Sequence, residues 1–502
     1  MSSPSPAARF SGFALLVAAL ALFTASAAVD VGAPWEGGFR GANGGFYHGN
    51  FVKHWVKYGL DYTRGGCVLK SVPVEPPRVI YDFHHASTYP LCLLPTVSLL
   101  GFSERSLRIG AWLLAIPAIV FLWLIARRLS DPIIAGVAAF LFAATPMAGY
   151  FGPMVNADGA VLTLSLVTVW CWLREREHPT AGRRTATFLG VYATALMDWA
   201  GYWTGPTLAL LALLGPNKKA DFFRVLRLAP AAFLALATFG LHTGWILNEG
   251  VWSLDVPKKF VHEMLHLVNA VAADAPSYGV VAKTMWRFAA TWFSLRLLLM
   301  AAAAAVPRLV PASLNPLKAM GVALILPGVL HAVAFPRNLV IHDFWIIHAL
   351  PGLCVLAAAS LTAVLRTRLG PRVGGPALAA MLGLLAWNGV GRTLDAVAEN
   401  RTTAHVNNAR LIREAVGPAD VVATAEAFDV ETFYLDNFLF PHVKTPEAFG
   451  EVYGSWRGNR WVGGRFVFVM YDYRAGTPLA KLLSEMRPPQ KRDHLLFWTF
   501  DG

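Results

Sequence analysis

Three short junctions between apolar runs carry side chains able to do acid–base chemistry. In Tyr150-Phe-Gly-Pro-Met-Val-Asn-Ala-Asp158 a carboxylate stands where one hydrophobic stretch ends and the next begins. Asp198 closes another stretch in Met-Asp-Trp-Ala-Gly-Tyr-Trp203, and His342-Asp343-Phe-Trp345 opens a third. An ionisable group at or inside a bilayer is expensive to keep, so it usually has a task, and a positioned carboxylate can take the proton of an attacking hydroxyl. Asp158 follows Asn156 and precedes Gly159 and an apolar helix, so it reads equally as an amino-terminal helix cap. Asp198 and Asp343 read as well as interface-level caps beside a belt of tryptophan and tyrosine.

Other constellations point elsewhere. Asp82-Phe-His84-His85-Ala-Ser-Thr-Tyr89-Pro90 offers two adjacent imidazoles. They cannot both face one metal from a helix or strand without distortion, and hydrogen bonding to a phosphate or a sugar suits them better. His262-Glu263-Met264-Leu265-His266 fits the His-Glu-x-x-His spacing of zinc proteases, but no third ligand follows and the segment already reads as an amphipathic helix. The cysteines Cys67, Cys92, Cys171 and Cys354 exclude a disulfide scaffold and any Cys-x-x-Cys metal site. Cys67 and Cys92 share one loop, where they either pair or remain two thiols.

The elements that must position these residues are membrane helices. Of 502 residues 55% are hydrophobic and only 15% charged, with a mean hydropathy of +0.47, which excludes a soluble protein of this length. About eleven runs approach the roughly 20 residues needed to cross a bilayer, near 10–29, 106–126, 132–149, 160–173, 185–199, 204–216, 226–247, 289–306, 319–335, 345–365 and 376–393. The net charge of +12 does not mark a nucleic-acid partner. Its bases, Arg127 and Arg128, then Arg174, Arg176, Arg183 and Arg184, then Lys218, Lys219, Arg224 and Arg227, then Arg308 and Lys318, then Arg366, Arg368 and Arg372, occupy alternate junctions, as cytoplasmic loops do. The short junctions between them hold one base, Arg337. With a cytoplasmic amino terminus, the loop 30–105 and the segment 394–502 both fall outside. The first run ends in Ala-Ser-Ala-Ala28, which also suits a cleaved signal peptide; a retained helix is the preferred expectation.

Within the outer loop, residues 45–59 place Phe46, Phe51, Trp55 and Tyr58 near helical spacing with His48, Lys53, His54 and Lys57 among them, a pattern for an interfacial helix. Val256 to Ala272 repeats it. After Asp395 strand and helix patterns alternate, with helices at 409–416 and 479–486 and strands at 421–424, 465–471 and 495–499. The expected fold is a polytopic α-helical membrane protein with a transmembrane domain over 1–393, a large first outer loop and a small soluble α/β domain over 394–502.

In order and spacing, His84-His85-Ala-Ser-Thr-Tyr-Pro-Leu91, Glu104-Arg-Ser-Leu-Arg108, Ile125-Ala-Arg-Arg128 and Tyr150-Phe-Gly through Asp158 resemble the GT-C membrane glycosyltransferases, specifically the bacterial relatives of protein O-mannosyltransferases and of lipid A aminoarabinose transferases. His342-Asp-Phe-Trp with Leu350-Pro351 is similar to a later segment of that family. The resemblance implies transfer of a sugar from a polyprenyl-phosphate carrier to an acceptor on the outer face of a bacterial inner membrane, with acids in the first outer loops as catalytic groups. Asp158 matches the second-loop acid. Residues 41–47 lack an acid where the family pattern expects an Asp-Glu pair, so Glu36 is taken as its substitute, with Asp30 and Asp82 behind it. A leaving phosphate needs a cation, for which Arg40 and Arg337 are the candidates. Substrate contacts are assigned to these two with Asn43, His84, His85, Tyr89, His342 and Asp343. No metal ligands are assigned, a divalent cation and the acceptor stay open, and no nucleic acid is expected. A transporter or flippase and a catalytically inactive relative are the alternatives.

Overall fold

The computed structural model describes residues 5–72, 78–253, 255–272, 276–306, 308–426, 430–435, 437–440, 442–458 and 464–500. The chain forms two compact units, one of residues 1–31 and 108–399, the other of residues 32–107 and 400–502.

Among the described residues the first unit is built of helices, and the apolar runs lie on them. Pro6–Ala28, Pro132–Ala143, Ala157–Glu177, Ala181–Met197, Thr204–Leu214, Ala229–Leu247 and Asn315–Ala334 carry seven of them. Starts are written in the sequence. Proline takes the first position of Pro6–Ala28 and Pro132–Ala143, where its missing N–H costs nothing, and the Asp131 carboxylate caps the second by accepting from the amides of Ile133 and Ile134 at 2.8 and 3.0 Å. Helices approach closely where side chains are absent: a Cβ on Gly12 would meet the Pro132 carbonyl oxygen at 2.1 Å, so the first helix lies directly against Pro132–Ala143. Leu350–Asn400 is two helices meeting at Gly370, whose φ of 70° suits glycine.

Among the described residues six stretches are long and apolar enough to cross a membrane: Pro6–Ala28, Glu104–Leu129, Lys218–Leu247, Ala312–Ala334, Asp343–Leu365 and Val373–Ala415. This is fewer than the runs counted in the sequence. Thr204–Leu214, with 11 residues, reaches only about 16 Å, and Ala157–Glu177 ends in alternating arginine and glutamate. Phe10, Phe233 and Trp387 are largely exposed, as lipid-facing side chains are. The chain is an integral membrane protein.

The ends of Ala157–Glu177 differ in charge. At its carboxyl end Arg176 pairs with Asp221 at 2.7 Å, Arg224 joins Asp221 at 2.8 Å, and Arg128 pairs with Glu177. At its amino end stands Asp158, about 30 Å away along 21 residues.

The second unit joins the long first loop to the carboxyl-terminal segment. Its five-stranded sheet has the order Phe438–Phe440, Val421–Thr424, Phe466–Tyr471, Leu495–Phe500, Gln490–Arg492, with the first three parallel and the others antiparallel. Val421–Thr424 and Phe466–Tyr471 are apolar on both sides because helices cover both faces. Phe449 and Trp456 of Pro446–Gly458 with Leu479 and Leu483 of Pro478–Met486 pack on one, and Leu411 and Ile412 of Ala404–Ala415 on the other.

The loop itself holds the antiparallel strands Cys67–Val72 and Arg78–Asp82 and a helix, Thr88–Leu100. Asn50–Tyr58 is helical, but Phe51, Val52 and Trp55 are buried inside this unit, so the ring face expected for a membrane interface is used for protein packing. It is held by Asn50 on Thr432 and by Lys53 Nζ, which donates to the Thr432 carbonyl at 2.8 Å and to that of Leu435. Cys67 and Cys92 are separate thiols.

Candidate active site

In the helical unit the site is built at the start of Ala157–Glu177. Residues 147–151 form a π-helical turn that ends against Gly152, and the chain reaches the helix through an extended Asn156. The turn folds back tightly: a Cβ on Gly159 would lie 2.7 Å from the Gly152 carbonyl oxygen. Asn156, not Asp158, is the cap, its Oδ1 accepting from the Ala157 amide at 2.7 Å. The cap reading of Asp158 is thereby corrected. Asn156 stands one residue before the first helical amide and reaches it, whereas Asp158 lies within the first turn with its carboxylate directed elsewhere.

That carboxylate is 5% exposed and meets Asn156 and His348. The Asn156 amide donates to Oδ2 at 2.6 Å, and His348 Nε2 lies 2.8 Å from Oδ1. His348 is itself buried, in the 3₁₀ segment Asp343–Ala349. Three residues per turn place His342, Trp345 and His348 in one line. The Trp345 ring lies 5.1 Å from His342 and 4.3 Å from His331, and His331 is 6.1 Å from His348. Trp203 donates its indole N–H to His331 Nδ1 at 3.1 Å.

Asp343 belongs to the same surroundings. It accepts from the Trp292 indole at 2.7 Å, Trp292 stacks on Tyr150 at 5.4 Å, and Phe151 lies 5.8 Å from Phe344. The second-loop turn and the His342–Asp343 segment, distant in sequence, thus meet through rings. Arg337 is exposed on Pro336–Ile341. Asp198 caps the turn Trp199–Trp203, accepting from the Trp199 amide at 2.5 Å.

The remaining assigned residues lie in the second unit. Glu36 and Arg40 form an ion pair at 3.3 Å with both side chains buried, and Asn43 follows on residues 42–49. His85 and Tyr89 are gathered around His48, with ring separations of 6.3 and 4.8 Å. His84 turns away, its ring largely exposed and bonded through Nδ1 to Asp82. Burial alone would push Asp82 up, but the His84 hydrogen bond and the charges of His85 and His84 hold it below its ordinary value. His54 is lowered to about 4 by burial and by the Lys53 charge. Among the described residues no three His, Cys, Asp or Glu side chains are grouped to hold a metal ion. For the His-Glu-x-x-His segment, Asp255–Ala272 is helical, but the side chains of Glu263 and His266 lie outside the described residues.

Sequence reasoning missed His348 and His331. Both sit inside apolar runs and were absorbed into spans; the available signal was an imidazole within such a run, which is expensive without a partner.

The comparisons agree with this architecture. The sequence model described as dolichyl-phosphate-mannose-protein mannosyltransferase matches residues 85–245, the part that contains Asp158. The crystal structure of ArnT from Cupriavidus metallidurans bound to undecaprenyl phosphate superposes with a TM-score of 0.66 at 14% identity over 97% of both chains. The chain has the fold of the GT-C membrane glycosyltransferases. The apo state of the same ArnT gives 0.62 at 12% identity, again over 97% of both chains. The Archaeoglobus fulgidus oligosaccharyltransferase in its apo form gives 0.55 at 13%, covering 91% of this chain and 69% of that one. No curated protein matches the chain in sequence.

Proposed function

We propose that this protein is a membrane glycosyltransferase that moves a sugar from a polyprenyl-phosphate-linked donor to an acceptor on the outer face of a bacterial inner membrane, with Asp158 as general base. The observation that carries the reading is the buried Asp158 carboxylate, fixed by Asn156 and His348 at the helix end opposite the arginines. As the acceptor hydroxyl attacks the anomeric carbon its proton passes to Asp158, and the bond to the carrier phosphate breaks with inversion. Donors on both carboxylate oxygens keep the base in one orientation, which is where positioned catalysis gains its rate. The departing polyprenyl phosphate gathers negative charge, and a cation beside it lowers the barrier; the exposed Arg337 is the candidate. Arg40 is committed to Glu36 in a buried pair, so Glu36 is assigned to holding the first loop before any role as base. Arg127 and Arg128 on one side and Arg174 to Arg184 on the other lie in the junctions flanking the one that holds Asp158, which supports an outer position for it.

The test is sugar release or transfer from a panel of radiolabelled polyprenyl-phosphate sugars by purified protein in detergent. Wild type turns over at least one donor, and Asp158→Asn loses about 10²- to 10⁴-fold while remaining folded. Full activity in that variant defeats the assignment.

A further inference from the structure

The carboxyl-terminal sheet has a feature that the transfer reading does not use. Val421–Thr424 lies between its two parallel neighbours, the next strand in the chain on one side and the one after that on the other. The connections therefore leave in opposite directions. In open α/β sheets this reversal opens a crevice outside the carboxyl ends of the strands, where ligands bind. The crevice falls between the ends of Val421–Thr424 and Phe466–Tyr471, and Glu426, two residues past one end, pairs across it with Arg474, three residues past the other, at 2.5 Å.

Polar groups converge on this edge from three elements. Ala404–Ala415 leads into Val421–Thr424, so its first turn lies over the carboxyl ends, bringing His405 and Asn408. The Asn408 amide, 1% exposed, donates to Glu431 Oε1 at 2.9 Å and to the Tyr471 hydroxyl at 3.1 Å, and its Oδ1 faces His494 Nε2 at 2.8 Å. His405 Nδ1 also faces Glu431 Oε1, at 3.1 Å. The second oxygen of Glu431, a side chain 1% exposed, has no hydrogen-bond partner among the described residues. A buried carboxylate oxygen left without a donor is costly, and an entering hydroxyl would satisfy it. Beside this network Tyr473 is 72% exposed with its ring stacked on Tyr471 at 5.4 Å, and Tyr471 stacks on His494 at 5.6 Å.

We infer that this edge of the carboxyl-terminal domain is a saccharide-binding site, in which Tyr473 covers the C–H face of a sugar ring and Glu431, with Asn408 and His494, receives its hydroxyls. The chemistry matches the ligand. A pyranose has an apolar face for an aromatic ring and a rim of hydroxyls for which carboxylate and amide are strong, directional partners. The inference stands apart from the transfer reading, because its groups all belong to the carboxyl-terminal domain.

Saturation-transfer NMR on full-length protein in detergent, with millimolar methyl glycosides of mannose, galactose and glucosamine as probes, tests it. At least one glycoside should receive saturation from wild type. Tyr473→Ala, which removes an exposed ring, should weaken that binding about fivefold, Tyr473→Phe should retain it, and Glu431→Gln should reduce it. Asp158→Asn should leave it unchanged. Absence of transfer to any probe in wild type overturns the proposal, as does transfer that survives Tyr473→Ala and Glu431→Gln. Binding lost in Asp158→Asn but kept in Tyr473→Ala places the sugar in the helical unit and overturns it as well, while supporting the transferase reading.

Discussion

Replacing His348 tests whether the Asp158 carboxylate works as a positioned base. His348 Nε2 lies 2.8 Å from Asp158 Oδ1 with both side chains buried, so His348→Ala removes a buried hydrogen bond to that oxygen. A hydrogen bond to a charged group is worth about 1.5–3 kcal/mol. If that support is delivered in the transition state, turnover falls about 10- to 150-fold. Asp158→Asn removes the base itself and costs about 10²- to 10⁴-fold. The decisive measurement is the double variant. If His348 acts only through Asp158, it adds nothing once the carboxylate is gone, and Asp158→Asn/His348→Ala turns over at the rate of Asp158→Asn alone. His348→Gln, which keeps an N–H donor, should recover part of the loss. Single-turnover sugar release from a polyprenyl-phosphate donor, with gel filtration to confirm folding, reads all four. A double variant slower than Asp158→Asn by the full His348→Ala factor refutes the coupling, and an unchanged His348→Ala refutes the role of the pair.

Gly159→Ala should force the Asp158 turn off the Gly152 carbonyl, where a Cβ would stand at 2.7 Å, and slow transfer about tenfold or more; a wild-type rate would show that the turn tolerates the shift. Asp420 is held below its ordinary value because, against burial, it accepts from Arg465 and from the amides of Gly417 and Arg465. Its stabilisation is therefore present above the unfolded value of about 4 and lost as pH falls through the lower folded one, so the stability gap between wild type and Asp420→Asn, read by tryptophan fluorescence in denaturant, should be constant near neutrality and shrink below about pH 4. Cys67 is buried and pushed up by burial and the neighbouring Asp82, so it should resist maleimide in folded protein and react on denaturation; fast labelling of the native state would contradict the packing of the loop. Glu36→Gln should destabilise by about 3–5 kcal/mol because it removes the acid of a buried ion pair. Glu36→Gln/Arg40→Gln should regain much of that stability in a melting assay, and regained turnover as well would assign the pair to structure.

How much of this was legible followed from how local each signal is. Asp158 was readable because an acid interrupts an apolar background within a few residues. The choice between cap and catalyst was not, since Asn156 and Asp158 are both good acceptors two residues apart, and only the position of the first helical amide separates them. His348 was hidden for the opposite reason. Its neighbours are those of a membrane span, and the three-residue alignment with His342 and Trp345 exists only because Asp343–Ala349 winds as 3₁₀ helix rather than α. In the carboxyl-terminal segment Val421–Thr424 and Phe466–Tyr471 were readable as apolar runs, while Phe438–Phe440 and Gln490–Arg492, three residues each, are too short to show a period.

The division of the chain was the least legible feature, because the bonds that define the second unit span most of the sequence. Tyr434 accepts from the Trp35 amide across 399 residues, and Thr432 meets Asn50 across 382. No window of sequence contains both partners. The physical consequence differs from that of an appended domain. Trp35 and Asn50 flank the stretch that carries Glu36, Arg40 and Asn43, so the carboxyl-terminal segment supplies part of the frame in which the first loop is held. Fixing a loop of this length costs conformational entropy that its own contacts must offset, and here hydrogen bonds from Lys53 to two carbonyls of the carboxyl-terminal segment contribute to that offset. A chain lacking residues 400–502 would remove these bonds from Trp35, Asn50 and Lys53, on either side of the Glu36–Arg40 pair.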